Sequence, residues 1–185
     1  ANITVFDALK KSDFDQKGKF YLERYVSAHA IMISFEGIPA IYFNSLFGTS
    51  NDEAKFVITG NNRDVNRYKW NLKNITMKLK NSKTKQSIFF KDITYLLKIR
   101  RKQKAFHPNA SRLNLDFGTK IYGFKRTSKD KRQSIICLTN LSSKIQRVHL
   151  NKTYHSWNNL IGSKININNN FLILKPFETI WLSNR

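Results

Sequence analysis

The sequence predicts a chain in two styles, an α/β part followed by an antiparallel all-β part. A stretch without helix breakers, from about Phe20 to Phe35, leads into the continuous apolar run "IPAIYF". Such a run, lacking any alternation, reads as a parallel strand buried on both faces. A second helical period runs through "TKQSIFFKDITYLLKIRRKQKAF" and stops before His107 and Pro108. Beyond Pro108 the hydrophobic period drops to two, as short half-buried strands require.

Each element has its own warrant. Asp13 or Asp15 offers a side-chain oxygen to cap the first helix, and Gly37 and Pro39 end it. Apolar residues cover more than one face of that helix, so it packs between other elements. From Asn44 to about Ser82 the chain is polar and without a clear period, apart from a possible short helix over Trp70 to Lys80. A connection of that length is a candidate functional loop. In the second helix Ile88/Phe89, Ile93, Leu96/Leu97 and Ile99/Arg100 recur every three to four residues. Its closing "KIRRKQK" places hydrated cations at the negative end of the helix dipole. The strands are then "SRLNLDF", "KIYGFKR", "SIICLTN", "IQRVHL", "KINI", "NFLIL" and "ETIWL", separated by turn signals such as "SKDKR" and "NLSS". Seven short strands predict an antiparallel sandwich.

The style changes between residues 105 and 109, which divides the chain into domains 1–106 and 107–185. One buried parallel strand cannot close its hydrogen bonds alone, because it needs strand neighbours and covering layers. The sequence is therefore expected to be a fragment of a longer protein.

Composition narrows the function. The 185 residues are 41% hydrophobic and 13% aromatic, enough for a proper core. No apolar run reaches the length of a membrane span, and "ANITVFDALKK" lacks the order of a signal peptide. The single Cys137, inside "SIICL", reads as a buried core thiol, and a reducing cytoplasm is the expected compartment. Net charge is +21, and it is uneven: residues 1–64 hold 7 Lys/Arg against 8 Asp/Glu, residues 65–185 hold 26 against 4. Such an excess raises an alternative function, a non-enzymatic basic β-domain that binds nucleic acid or another polyanion. Lys outnumbers Arg 23 to 10, however, and the strands lack the interleaved aromatic and Arg-rich pattern of a nucleic-acid reader. Solvated faces are the preferred reading. No Cys or second His completes a metal set around His29 or His107, and Trp157 and Trp181 read as core.

Several stretches, "NITVFDAL", "AHAIMISFEGIPAIYFNSLFGTSND", "NRDVNR", "LLKIRRKQKAFHPNA" and "LKPFETIWL", resemble the sucrose phosphorylase branch of the alpha-amylase superfamily. "GIPAIYF" alone suggests only the wider superfamily, whereas "SND" followed by "RDVNR" narrows it to the phosphorylases. The resemblance implies the last part of a (β/α)8 TIM barrel followed by a C-terminal all-β sandwich. It implies retaining transfer of an α-glucosyl unit between a small glucoside and inorganic phosphate, with no cofactor, no metal, no nucleic acid and no membrane. The two catalytic carboxylates of such enzymes lie on upstream strands, so no catalytic residue is assigned here and the fragment is expected to be inactive alone.

The resemblance also implies binding residues. Arg63 matches the family arginine that donates hydrogen bonds to glucose hydroxyls. Asn51, Asp52 and Arg67 are further candidates for substrate contact, and Asp64 and Asn66 are expected to orient Arg63 and brace the loop. Where relatives carry glycine before "RDINR" this chain has Asn62, which is expected to make a turn of positive φ at some cost.

Overall fold

The computed structural model describes every residue except 1, 14, 163, 164 and 166. Contacts group the chain into two compact units, Ala1–Val26 with Ala40–Thr94, and Ser27–Pro39 with Tyr95–Arg185.

In the first unit, α1 (Val5–Leu9) is capped by Thr4, whose side chain accepts from the Asp7 N–H. The second helix, α2 (Tyr21–Ser34), begins where the sequence predicts. Asp15 accepts the N–H groups of Lys19 at 2.8 Å and Phe20 at 2.9 Å, the two residues that lead into the helix, so it fixes the entry of the chain rather than capping the first turn. Arg24 completes this arrangement. Its guanidinium pairs with Asp15 at 3.0 Å and donates to the carbonyls of Leu9 and Lys10. Phe6, Tyr25 and Phe89 form an aromatic core, with the Tyr25 and Phe89 rings 4.3 Å apart. The Tyr25 hydroxyl donates to the Ser45 carbonyl at 2.6 Å. Gly48 lies at φ 56°, and a Cβ there would stand 2.2 Å from the Phe89 ring, so only glycine admits this packing.

The expected long polar loop is mostly helical. After a 3₁₀ turn at Phe43–Phe47 come α3 (Glu53–Thr59), a 3₁₀ turn at Asn62–Asn66, and α4 (Leu72–Lys80). Local caps build these elements: Asp52 accepts the Lys55 N–H, Asn61 that of Arg63, and Asn71 that of Asn74. No residue of α3 is buried and Val57 and Ile58 stand 80% and 84% exposed, so no hydrophobic period announced this helix.

Helix α5 (Lys85–Arg101) begins where predicted but ends before the predicted limit at Phe106, a separate 3₁₀ turn covering Lys104–Phe106, and the strands follow in the second unit. These are β1 (Ser111–Asp116), β2 (Ile121–Thr127), β3 (Ser134–Asn140), β4 (Gln146–His149), β5 (Asn158–Asn159), β6 (Ile167–Asn168), β7 (Phe171–Leu174) and β8 (Thr179–Ser183). They form two antiparallel sheets, ordered β1-β2-β3-β8-β5 and β4-β7-β6. Their inner faces share one core of Ile121, Ile136, Leu138, Val148, Leu150, Leu172, Leu174, Ile180 and Leu182, which is the predicted sandwich. All seven predicted strands have a counterpart, although Lys164 and Asn166 of "KINI" lie outside the described residues. The two-residue β5 went unpredicted because "NN" carries no strand signal. Cys137 is 2% exposed and Trp181 wholly buried, whereas Trp157 packs at the margin of the core.

Two readings are corrected. The run Ile38 to Tyr42 belongs to no strand, and Ile38 is 83% exposed. Every strand among the described residues lies after Ser111, so this segment has no parallel neighbour to pair with. Nor are all cations of "KIRRKQK" hydrated. Arg100 is 7% exposed and donates to the carbonyls of Ile33, Phe35 and Gly37 at the end of α2. Arg126, fully buried, donates to Ser34 at 2.7 Å, His107 at 2.9 Å and Ala110 at 3.2 Å. Burial lowers the pKa of both guanidiniums, and both remain charged because arginine starts so high.

Replacing Arg126 with Met removes the donors to four carbonyls, those of Ser34, His107, Ala110 and Ser111, and is expected to cost about 3 kcal/mol of stability. Arg112→Met, which breaks a partly exposed pair with Glu36 and exposed hydrogen bonds to Asn114 and Tyr122, should cost about 1 kcal/mol. Urea unfolding of both variants checks the contrast.

Candidate functional site

The "RDVNR" residues sit on the 3₁₀ turn Asn62–Asn66 and its C-cap, Arg67. Two devices hold that turn within the first unit. The Asn61 side chain accepts the Arg63 N–H at 3.0 Å, and the Val65 carbonyl accepts the Asp52 N–H at 2.7 Å. The second bond ties "RDVNR" to "SND". Asn62 does not take a positive φ; Gly60, at 63°, makes the reversal two residues earlier, and the expected cost at Asn62 does not arise.

Arg63, Asn66 and Arg67 line one cavity of about 460 Å³ together with Asn2 and Tyr42. Arg63 and Arg67 are both exposed, and no ion pair among the described residues involves either. A smaller cavity of about 130 Å³ shares Tyr42 and Asn66 with the first and extends to Thr4, Phe6, Asn44 and Thr49. Thus "RDVNR" gathers three of its polar side chains at one opening.

Asp64 is not among them. Its carboxylate turns toward α3, where it accepts from Lys55 Nζ at 2.9 Å and from the Thr59 hydroxyl at 2.9 Å. The Lys55 hydrogen bond, with that of Thr59, holds the carboxyl below its usual range. No hydrogen bond joins Asp64 to the Arg63 side chain among the described residues.

Asn51 and Asp52 do not line these two cavities, and their bonds are internal. Asn51 Oδ1 accepts the Thr4 N–H at 2.8 Å, and its own N–H donates to Asp7 at 2.5 Å. Asp52 caps α3. Ser50 receives a 2.8 Å hydrogen bond from Lys85 Nζ, which also lies 3.6 Å above the Phe6 ring. Sequence reasoning missed Lys85 and Tyr42. Lys85 opens a lysine-rich helix whose members look alike, and Tyr42 stands in a run read as wholly buried.

No protein-family model matches the chain. Its relatives decide the matter. It is 32% identical over 184 residues to a glucosylglycerate phosphorylase of Escherichia coli (strain K12), covering 98% of this chain and 31% of the relative. It is 29% identical over 183 residues to a glucosylglycerate phosphorylase of Allomeiothermus silvanus, covering 97% and 30%. A sucrose phosphorylase of Agrobacterium vitis is 31% identical over 106 residues, 57% of this chain and 19% of the relative. This chain is a homologue of the glucosylglycerate and sucrose phosphorylases.

The fold agrees. A crystal structure of AmyP in complex with maltotriose superposes with a TM-score of 0.70 at 16% identity, over 89% of this chain and 35% of that one. The trehalose-6-phosphate hydrolase TreA of Bacillus licheniformis gives 0.66 at 12% identity, over 93% and 40%. The phosphorylase homologue thus has the fold of part of each of these enzymes. The chain spans about a third of the length of the curated phosphorylases it matches.

Burial against its neighbours brings the Lys85 amine down to about 8, although Asp7 nearby opposes the shift. The unfolded chain keeps that proton to about 10.5, so between these values the unfolded state binds more protons. Lys85 therefore contributes stability that rises with pH across this window. The melting temperature of the native protein, minus that of Lys85→Met, is expected to grow between pH 8 and pH 10; a flat difference would contradict the buried amine.

Proposed function

We propose that this chain is the C-terminal portion of a retaining α-glucosyl phosphorylase of the alpha-amylase superfamily, acting in the cytoplasm. The observation that carries the reading is the match along 98% of the chain to a glucosylglycerate phosphorylase, together with the opening of Arg63 into a cavity large enough for a hexose. In this reading residues 1–106 belong to the barrel and residues 107–185 are the appended β domain.

The chemistry needs two carboxylates about 5 Å apart, one to attack the anomeric carbon and one to protonate the leaving oxygen. None of the described residues lining the Arg63 cavity is acidic, which is consistent with carboxylates supplied from elsewhere in the longer protein. In the second half of the reaction a phosphate oxygen bonds to the anomeric carbon. The carbon–carboxylate bond breaks as it forms, and the phosphate proton passes to the second carboxylate. The work of this chain is to bind and orient. Arg63, with no carboxylate partner among the described residues, donates from its planar fork to glucose hydroxyls, fixing the ring while its anomeric end reacts. Asn66 adds an amide at the same wall.

In the full-length protein Arg63→Ala is expected to lower turnover at least about a hundredfold, because orienting contacts count most in the transition state. Assays with glucosylglycerate and with sucrose, in phosphate buffer, measure the loss. Unchanged kinetics would remove Arg63 from the site.

A further inference from the structure

We propose that Arg67 is the ligand for a phosphoryl group in the cavity it shares with Arg63, and that the Lys55–Asp64 pair keeps this cavity cationic. The proposal rests on the phosphorylase reading and deepens it. By sequence "RDVNR" is nearly self-neutralising, since a carboxylate between two arginines could bridge both. The structure sends that carboxylate elsewhere. Asp64 spends one oxygen on Lys55 and the other on Thr59, both on α3. Those two hydrogen bonds are the main reason the Asp64 carboxyl lies below its usual range, with the charges of Lys55 and Arg67 adding to them. The cavity is left with two guanidiniums, the Asn66 amide and Tyr42, and no acidic residue among those described in its lining.

Such a wall suits a dianion. Arginine matches phosphoryl oxygens with paired N–H donors, and the absence of a carboxylate removes the repulsion that would oppose it. With Arg63 engaged by sugar hydroxyls, Arg67 is the cation left for the oxyanion. The group could arrive as free phosphate or as the phosphate of glucose 1-phosphate, and both arms are tested.

Calorimetric titration of the full-length protein with inorganic phosphate, and separately with glucose 1-phosphate, reads the site directly. Arg67→Gln is expected to weaken both at least about tenfold, the loss of a charge-assisted hydrogen bond. It should raise KM for phosphate while leaving KM for the glucoside close to its native value. Arg67→Lys, which keeps charge without the fork, should fall between. Lys55→Met releases Asp64 toward the arginines and should weaken phosphate about threefold. Adding Asp64→Asn to Lys55→Met should restore it, a rescue that a merely structural role for the pair would not produce. Native phosphate affinity in Arg67→Gln, or in Lys55→Met, overturns the proposal. So does a loss confined to glucose 1-phosphate, which would assign Arg67 to the sugar. If no glucoside is phosphorolysed the functional reading fails instead, and the phosphate titration still decides the chemistry of the cavity.

Discussion

Two buried guanidiniums, Arg100 and Arg126, satisfy the carbonyl end of α2, and the second unit is organised around that task. The last carbonyls of a helix have no partner within it, and burying them unpaired costs about 1–3 kcal/mol each. Helices often end on glycine in a left-handed turn, whose backbone N–H groups fold back to satisfy some of those carbonyls. Here the end of α2 lies inside, with Ser34 and Ile33 wholly buried. Arg100 and Arg126 together reach Ile33, Ser34, Phe35 and Gly37 of that end, and Arg126 spans to His107 and Ala110 as well. Their charge also opposes the negative pole of the helix dipole. Two like charges share the interior because each is surrounded by carbonyl oxygens. The Phe106 ring, about 6 Å from both guanidinium carbons, adds its negative face.

The first unit meets the converse problem with an acid. Asp15 supplies oxygens to the N–H groups of Lys19 and Phe20 just ahead of α2, and Arg24 pairs with it while reaching two further carbonyls. Asp7, Asp52 and Asp64 likewise bond backbone N–H groups or a lysine. An acid so engaged is not available to a substrate. The same economy shapes the candidate site: its electrostatics follow from where Asp64 points, and sequence proximity to Arg63 and Arg67 says nothing about that direction.

What the sequence made legible follows the same logic. Short β-branched and aromatic runs bounded by turn residues mark strands, so "SIICLTN" and "ETIWL" could be placed to within a residue as β3 and β8, although both are buried on both faces rather than alternating. The helix over Tyr21–Ser34 was legible from Asp15 ahead of it and from its breakers. By contrast, "IPAIYF" carries the composition of a buried strand, but composition cannot form a ladder without a neighbour, and Ile38 stays exposed. Helix α3 was illegible for the opposite reason: local caps build it, and no burial marks it. At the site, the sequence offered Arg63, Arg67, Asn51 and Asp52 as contacts and Asn66 as a brace; Arg63, Arg67 and Asn66 share the opening and Asn51 and Asp52 do not, while the Lys55–Asp64 and Lys85–Ser50 contacts depend on folding alone. Lysines look alike in sequence until a partner distinguishes them.

Net charge is a poor guide to this surface for a related reason. A charge of +21 invites a polyanion, yet that figure counts cations wherever they lie. Arg24, Arg100 and Arg126 are buried and bonded to carbonyls, so they offer nothing to a partner in solution. The residues that remain exposed are mostly lysines, which stay hydrated and contribute a diffuse, salt-screened field. What can bind an anion selectively is a place where two arginine forks open onto one cavity with the intervening acid turned away. In the proposed reading, selectivity for small oxyanions depends on the hydrogen-bond partners of a single carboxylate rather than on the total charge of the chain.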